Sequence, residues 1–117
     1  MKGDSPEVAA IEAVARDYIQ GWYTGDVERI DRAFHDDLVK RIQSGGELRQ
    51  VSKERMMEMT ASGGGEMPDP EFEIEVYDVS VDIATARTVS PEYIDYLQLA
   101  KTRDGWKIAN VLFMTRD

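Results

Sequence analysis

A small set of side chains in this sequence combines a reactive type with an informative setting. His35 is the only histidine, and an imidazole titrates near neutrality, so it can act as a general acid or base. The alternative is a histidine that completes the last turn of a helix, where the dipole favours it. Asp95 sits inside Tyr93-Ile94-Asp95-Tyr96-Leu97-Gln98-Leu99, a strand-like stretch in which a carboxylate is unusual. Its phase matches Leu97 and Leu99, which predicts an inward side chain whose pKa is raised by apolar walls, as a base requires. The alternative is an outward carboxylate meeting Lys107 or Arg87 across the sheet. Asn110 shares the phase of Trp106, Ile108 and Leu112, and a buried amide there needs a partner, either a ligand or a neighbouring side chain. Tyr18 and Trp22, four residues apart, lie on one side of a helix and either fill the core or line a pocket for a flat apolar or heterocyclic molecule. His35 and Asp95 are therefore the candidate catalytic residues, with Tyr18 or Asn110 steadying an oxyanion. Tyr18, Trp22 and Asn110 are the candidate ligand-binding residues.

Weaker candidates surround them. Met56, Met57 and Met59 can form an adaptable lid, although gap-filling or exposed methionines are commoner. Lys40 and Arg41 either meet an anionic ligand group or stay solvated, and the solvated reading is the expectation.

The elements that must position these residues follow from periodicity. Val8, Ile11, Val14/Ala15, Tyr18, Ile19 and Trp22 recur at helical spacing. Asp4 or Ser5 is placed to cap that helix, and Gly25 to stop it. Asp26 caps a shorter helix carrying Val27, Ile30, Ala33 and Phe34, ended by His35-Asp36-Asp37. A short strand is predicted over Leu38 to Gln43, then a turn at Ser44-Gly45-Gly46. Ser52 caps a third helix, with Val51 and Met56 stapled across the cap, and Gly63-Gly64-Gly65 terminates it. From Pro70 the period becomes two. Its phase slips after Val76, which a bulge near Tyr77-Asp78 explains. Strands over Ala84 to Val89, Tyr93 to Thr102 and Trp106 to Met114 complete a meander, with Arg103-Asp104-Gly105 as the last turn. Helices first and a meander afterwards argue for an α+β domain spanning 1–117 rather than a parallel βαβ fold.

Composition bounds the function. The 117 residues, 42% of them hydrophobic, suffice for one core. With 14 basic and 23 acidic residues the formal charge is −9, which argues against nucleic acid and against an anionic membrane surface. No apolar run approaches the roughly 20 residues of a membrane span, and no signal peptide is visible, so a cytoplasmic location is expected. The absence of cysteine removes thiolate chemistry, and with a single histidine a metal site is not expected. The triple glycine lacks the lysine of a phosphate loop, no Gly-x-Ser-x-Gly elbow exists, and no cofactor is implied.

The last strand has apolar residues in both phases: Trp106, Ile108, Leu112 and Met114 in one, Ala109, Val111 and Phe113 in the other. The preceding strand likewise opposes Leu97 and Leu99 to Ile94, Tyr96 and Ala100. Both sheet faces then need cover, one from the helices and one from a second copy of the chain. A homodimer through the outer face is predicted, with Val111 and Phe113 on the shared side.

Three segments carry a family resemblance: Tyr18-Ile19-Gln20-Gly21-Trp22-Tyr23-Thr24-Gly25-Asp26, Ala33-Phe34-His35-Asp36-Asp37-Leu38-Val39-Lys40-Arg41, and Tyr93 to Leu99 together with Gly105-Trp106-Lys107-Ile108-Ala109-Asn110-Val111. They resemble the nuclear transport factor 2-like superfamily, and within it the small bacterial proteins described as “putative lumazine-binding”, relatives of polyketide cyclases and ketosteroid isomerases. Asp36 stands where that family often has proline. The resemblance implies a cone-shaped α+β fold, N-terminal helices on a curved mixed or antiparallel sheet enclosing a pocket, and commonly a dimer through the outer sheet face. Three functions are open to such a chain: a carrier of a small hydrophobic or heterocyclic molecule, a cofactor-independent isomerase, dehydratase or cyclase, and a dimeric association module. The fold alone does not choose among them.

Overall fold

The structure, a computed structural model, describes residues 6–116. The first helix, α1 (Pro6–Thr24), buries Val8, Ile11, Ala15, Tyr18, Ile19 and Tyr23 along one stripe. It stops at Gly25, whose φ of 72° suits a residue without a Cβ. The caps expected at Asp4 or Ser5 lie outside the described residues. Helix α2 (Val27–Ala33) starts where Asp26 Oδ1 accepts the amide of Arg29. Asp17 of α1 takes both Arg29 and Arg32 of α2 at 3.0 Å, clasping the two helices together.

Strand β1 (Phe34–Ser44) begins directly after α2. His35 therefore lies on a strand and not at a helix end, because Phe34 adopts an extended backbone and buries its ring in the core. The Gly45-Gly46 turn, both residues at positive φ, leads into β2 (Glu47–Val51), an edge strand. Its sequence, Glu-Leu-Arg-Gln-Val, has almost no apolar alternation, which is why periodicity did not reveal it. Ser52 caps α3 (Lys53–Ala61) by accepting from Arg55 N at 3.0 Å.

Strands β3 (Glu73–Ser80), β4 (Ile83–Val89), β5 (Tyr93–Thr102) and β6 (Gly105–Thr115) form the meander. The six strands run in the order β2-β1-β6-β5-β4-β3. All neighbours are antiparallel except β1 and β6, which pair in parallel, so the sheet is mixed. That pairing brings the residues after α2 beside the last strand, with Lys40 opposite Val111. The helices cover one face, α1 against β3, β4 and β6 and α3 against β1. Among the described residues no helix is long and apolar enough to cross a membrane.

Two bulges within the meander set which of its side chains face the helices, besides the register shift of β1 between Phe34 and Val39. One falls at Tyr77, between the pairs Val76–Ala86 and Asp78–Thr85, as the slip in alternation predicts. The other falls at Ala109: Leu99 pairs with Ile108, but Gln98 pairs with Asn110. One residue is skipped and the phase of β6 reverses. Trp106 and Ile108 point inward, and so do Val111, 3% exposed, and the half-buried Phe113. Asn110, Leu112 and Met114 point outward, Leu112 and Met114 at 47% and 46% exposure. Strict alternation therefore put Val111 and Phe113 on the wrong face. The outer face instead presents the cross-strand pairs Ile94–Met114, Tyr96–Leu112 and Gln98–Asn110.

Candidate functional site

Between α1, α3 and the inner face of the sheet lies a cavity of about 260 Å³. Its walls include Ile19 and Trp22 from α1, Val51 and Met56 from the two sides of the α3 cap, and Tyr93 and Phe113 from the sheet. The staple geometry of Val51 and Met56 is what brings both to this wall. Trp22 packs over Gly65 so closely that any Cβ there would overlap the indole. The loop after α3 thus needs glycine to let the ring lie flat. The indole Nε1 is buried without a hydrogen-bond partner among the described residues.

Three polar groups in these walls form one buried chain. Lys40 Nζ donates to Tyr18 Oη at 2.8 Å, and Tyr18 Oη donates to Asp95 Oδ1 at 2.6 Å. Lys40 is 3% exposed, Tyr18 3% and Asp95 1%. The ammonium lies 4.7 Å from the centre of the Tyr18 ring and 4.6 Å from that of Phe113, within cation–π range of both. Met56 Sδ, 3.3 Å from Nζ, is its other polar neighbour. Strand β1 supplies the lysine, α1 the tyrosine and β5 the aspartate, so the chain exists only in the folded protein.

Burial displaces the titration of all three groups. It pushes the Asp95 carboxyl up from its ordinary value, with the Lys40 charge, the Tyr18 hydrogen bond and the neighbouring Thr88 hydroxyl opposing. It pulls the Lys40 ammonium down to about 8, with the Asp95 charge opposing. The Tyr18 phenol is raised well above its ordinary value, first by burial and then by Asp95. Unfolding returns Lys40 to 10.5. Between about pH 8 and 10.5 the unfolded chain then binds more protons than the folded one, and stability rises with pH. Below pH 8 both forms are protonated and the full cost of the buried ammonium is present. Above pH 10 the raised phenol of Tyr18 reverses the trend, because unfolded tyrosine ionises first. Denaturant titrations at pH 7.5 and 9.5 are expected to show about 2 kcal/mol more stability at the higher pH, and Lys40→Met is expected to abolish that gain.

The residues singled out by sequence separate into two groups. Tyr18, Trp22 and Asp95 come together at the cavity. His35 does not reach it: the half-buried ring lies in a surface depression with Asp36, Lys53 and Lys107, and its Nδ1 accepts the Asp37 amide at 3.0 Å. Asn110 is on the opposite face, donating to Gln98 Oε1 at 3.0 Å, because the Ala109 bulge turns it outward. Sequence reasoning missed Lys40, which is buried and not solvated. The available signal was its place between Val39 and Ile42 in a strand, in phase with the inward Ile42; adjacent Arg41, which is exposed, masked it.

Three helices on one face of a bulged six-stranded mixed sheet, with the family profile and the solved structures that match it, make this a protein of the NTF2-like (nuclear transport factor 2-like) superfamily. Within it the chain belongs to the family described as “Putative lumazine-binding”, whose profile matches residues 6–114. Solved structures agree on the fold. An NTF2-like protein of unknown function from Silicibacter pomeroyi DSS-3 superposes with a TM-score of 0.82 at 23% identity, covering 93% of this chain and 95% of that one. A second NTF2-like protein of unknown function, from Shewanella baltica OS155, gives 0.85 at 18% identity over 95% and 94% of the two chains. A ketosteroid isomerase-like protein from Erwinia carotovora atroseptica SCRI1043 gives 0.74 at 23% identity over 97% and 98%. No curated protein matches the chain.

Proposed function

We propose that the protein binds a compact apolar or heterocyclic molecule in the cavity between α1, α3 and the sheet, with Tyr18, Trp22 and Asp95 as contacts. One observation carries this reading: a largely apolar cavity of about 260 Å³ with the buried hydrogen-bonded chain Lys40–Tyr18–Asp95 in its wall. A mostly apolar wall with a few convergent polar groups suits a small ligand, and the volume favours one below drug size. The family description points to lumazine as the first probe. Calorimetric titration with lumazine is expected to give one site per chain with micromolar affinity, about 8 kcal/mol. Heats indistinguishable from dilution would remove lumazine-like heterocycles from the candidates.

A second reading is a cofactor-independent enzyme in which Asp95 moves a proton. It is favoured by the Asp95–Tyr18 hydrogen bond of 2.6 Å together with the raised carboxyl. His35 no longer serves this reading, since it lies outside the cavity.

We further propose that the protein is a homodimer through the outer sheet face. Supporting this are the apolar side chains there, Tyr96 at 55%, Leu112 at 47% and Met114 at 46% exposure. Sedimentation is expected to give a dimer, and Tyr96→Glu combined with Leu112→Glu to give a folded monomer. A wild-type monomer at micromolar concentration would refute the assembly.

A further inference from the structure

We propose that Lys40 captures an apolar aldehyde or ketone in the cavity as an imine, with Tyr18 and Asp95 carrying the protons. The inference rests on the cavity being a small-molecule site and names a substrate class for it.

Geometry sets Lys40 apart from the other lysines of the described residues. Lys53 holds Asp31 and Asp36 at 2.9 Å, Lys101 holds Glu7 at 2.8 Å, and Lys107 donates to Arg32 O at 2.7 Å. Each is tied to an anion or carbonyl near the surface, and Lys53 and Lys101 are held above the ordinary lysine value by those carboxylates. Among the described residues no carboxylate lies within ion-pair distance of Lys40. Its carboxylate link among them runs through the Tyr18 hydroxyl to Asp95. The ammonium lies between the Tyr18 and Phe113 rings on a cavity wall, and burial drives it toward the neutral amine. Desolvation is the general means by which a lysine becomes a nucleophile near neutral pH.

The hydrogen bonds supply a route for the protons. Lys40 gives one to Tyr18 as Tyr18 passes its own to Asp95, which leaves a neutral amine, a neutral phenol and a carboxylic acid. Burial narrows the gap between this neutral pair and the ammonium–carboxylate pair, so the free amine is reached from the resting ammonium. The amine lone pair then attacks the carbonyl carbon: a C–N bond forms and the C–O π pair moves onto oxygen. A proton passes from nitrogen to that oxygen and gives the carbinolamine. Asp95 returns its proton through Tyr18, the C–O bond breaks, and water leaves. The product is an iminium with one positive charge, which stands where the ammonium stood, opposite the Asp95 carboxylate. No oxidant or reductant takes part. A flat aryl group on the carbonyl carbon would lie against Phe113 and Trp22.

The test uses the full chain, benzaldehyde and cyanoborohydride, which delivers hydride to an iminium carbon and fixes it as a benzylamine. Peptide mass mapping is expected to find the benzyl group on Lys40 at least about tenfold faster than on Lys53, Lys101 or Lys107. Tyr18→Phe is expected to slow capture about tenfold by breaking the proton route. Benzyl alcohol, which cannot form an imine, reports binding alone through the indole resonance of Trp22. A Trp22 shift with benzyl alcohol but no preference for Lys40 would overturn carbonyl capture and leave the binding reading standing. No shift and no selective adduct would overturn both.

Discussion

Replacing Asp95 with alanine is expected to cost about 3 to 5 kcal/mol, a large part of the stability of a domain this size. The carboxylate is 1% exposed and accepts the Tyr18 hydroxyl at 2.6 Å. Without it, Tyr18 keeps a buried donor with no acceptor, and the Lys40 ammonium loses the charge that offsets its desolvation. Removing Lys40 as well takes away the stranded charge. Lys40→Met in the Asp95→Ala background is therefore expected to recover at least half of the loss, since methionine fills the same apolar space beside Met56 and Phe113. Denaturant melts of the two single variants and the double variant give the coupling directly. Additive losses would mean that Lys40 and Asp95 do not communicate through Tyr18.

The second large effect concerns binding. Val51, half-buried at the end of β2, reaches the cavity wall. Val51→Trp is expected to place an indole ring inside the cavity of about 260 Å³, across the space a ligand would take. Affinity for lumazine should then fall at least a hundredfold, about 2.7 kcal/mol. Stability should change far less than in Asp95→Ala, because the added ring enters empty space instead of displacing packed atoms. Parallel calorimetry and thermal melts separate these effects. Undiminished lumazine affinity in a folded Val51→Trp protein would place the ligand elsewhere.

The contrast between what the sequence disclosed and what it concealed has a physical origin. Amphipathic helices announce themselves through spacing and caps, so α1, α2 and α3 were legible from Ile11, Tyr18, Asp26 and Ser52. The bulge at Tyr77 was legible because apolar residues change phase across it. At Ala109 no such mark exists: apolar side chains occupy both phases, so a skipped residue leaves the pattern unchanged. That ambiguity put Val111, Phe113 and Asn110 on the wrong faces. The inward direction of Asp95 was legible because the strand bearing it has no bulge between positions 95 and 97. Lys40 was hidden by its chemistry. A buried ammonium is stable only if distant residues supply partners, here Tyr18 and, through it, Asp95 77 positions beyond that tyrosine, and no local pattern encodes such a meeting. His35 drew notice by being unique, which says nothing of its location.

The most direct test of the cavity as binding site is a nitrogen–proton NMR titration of the uniformly labelled protein with lumazine, read at the two indole resonances. Trp22 lines the cavity, whereas Trp106 Nε1 lies 3.4 Å from Glu7 Oε1, away from it. A saturable shift of the Trp22 signal, with Trp106 unmoved, is the predicted result. Saturable shifts confined to Tyr96, Gln98 and Asn110 on the outer sheet face, with Trp22 unchanged, would contradict it.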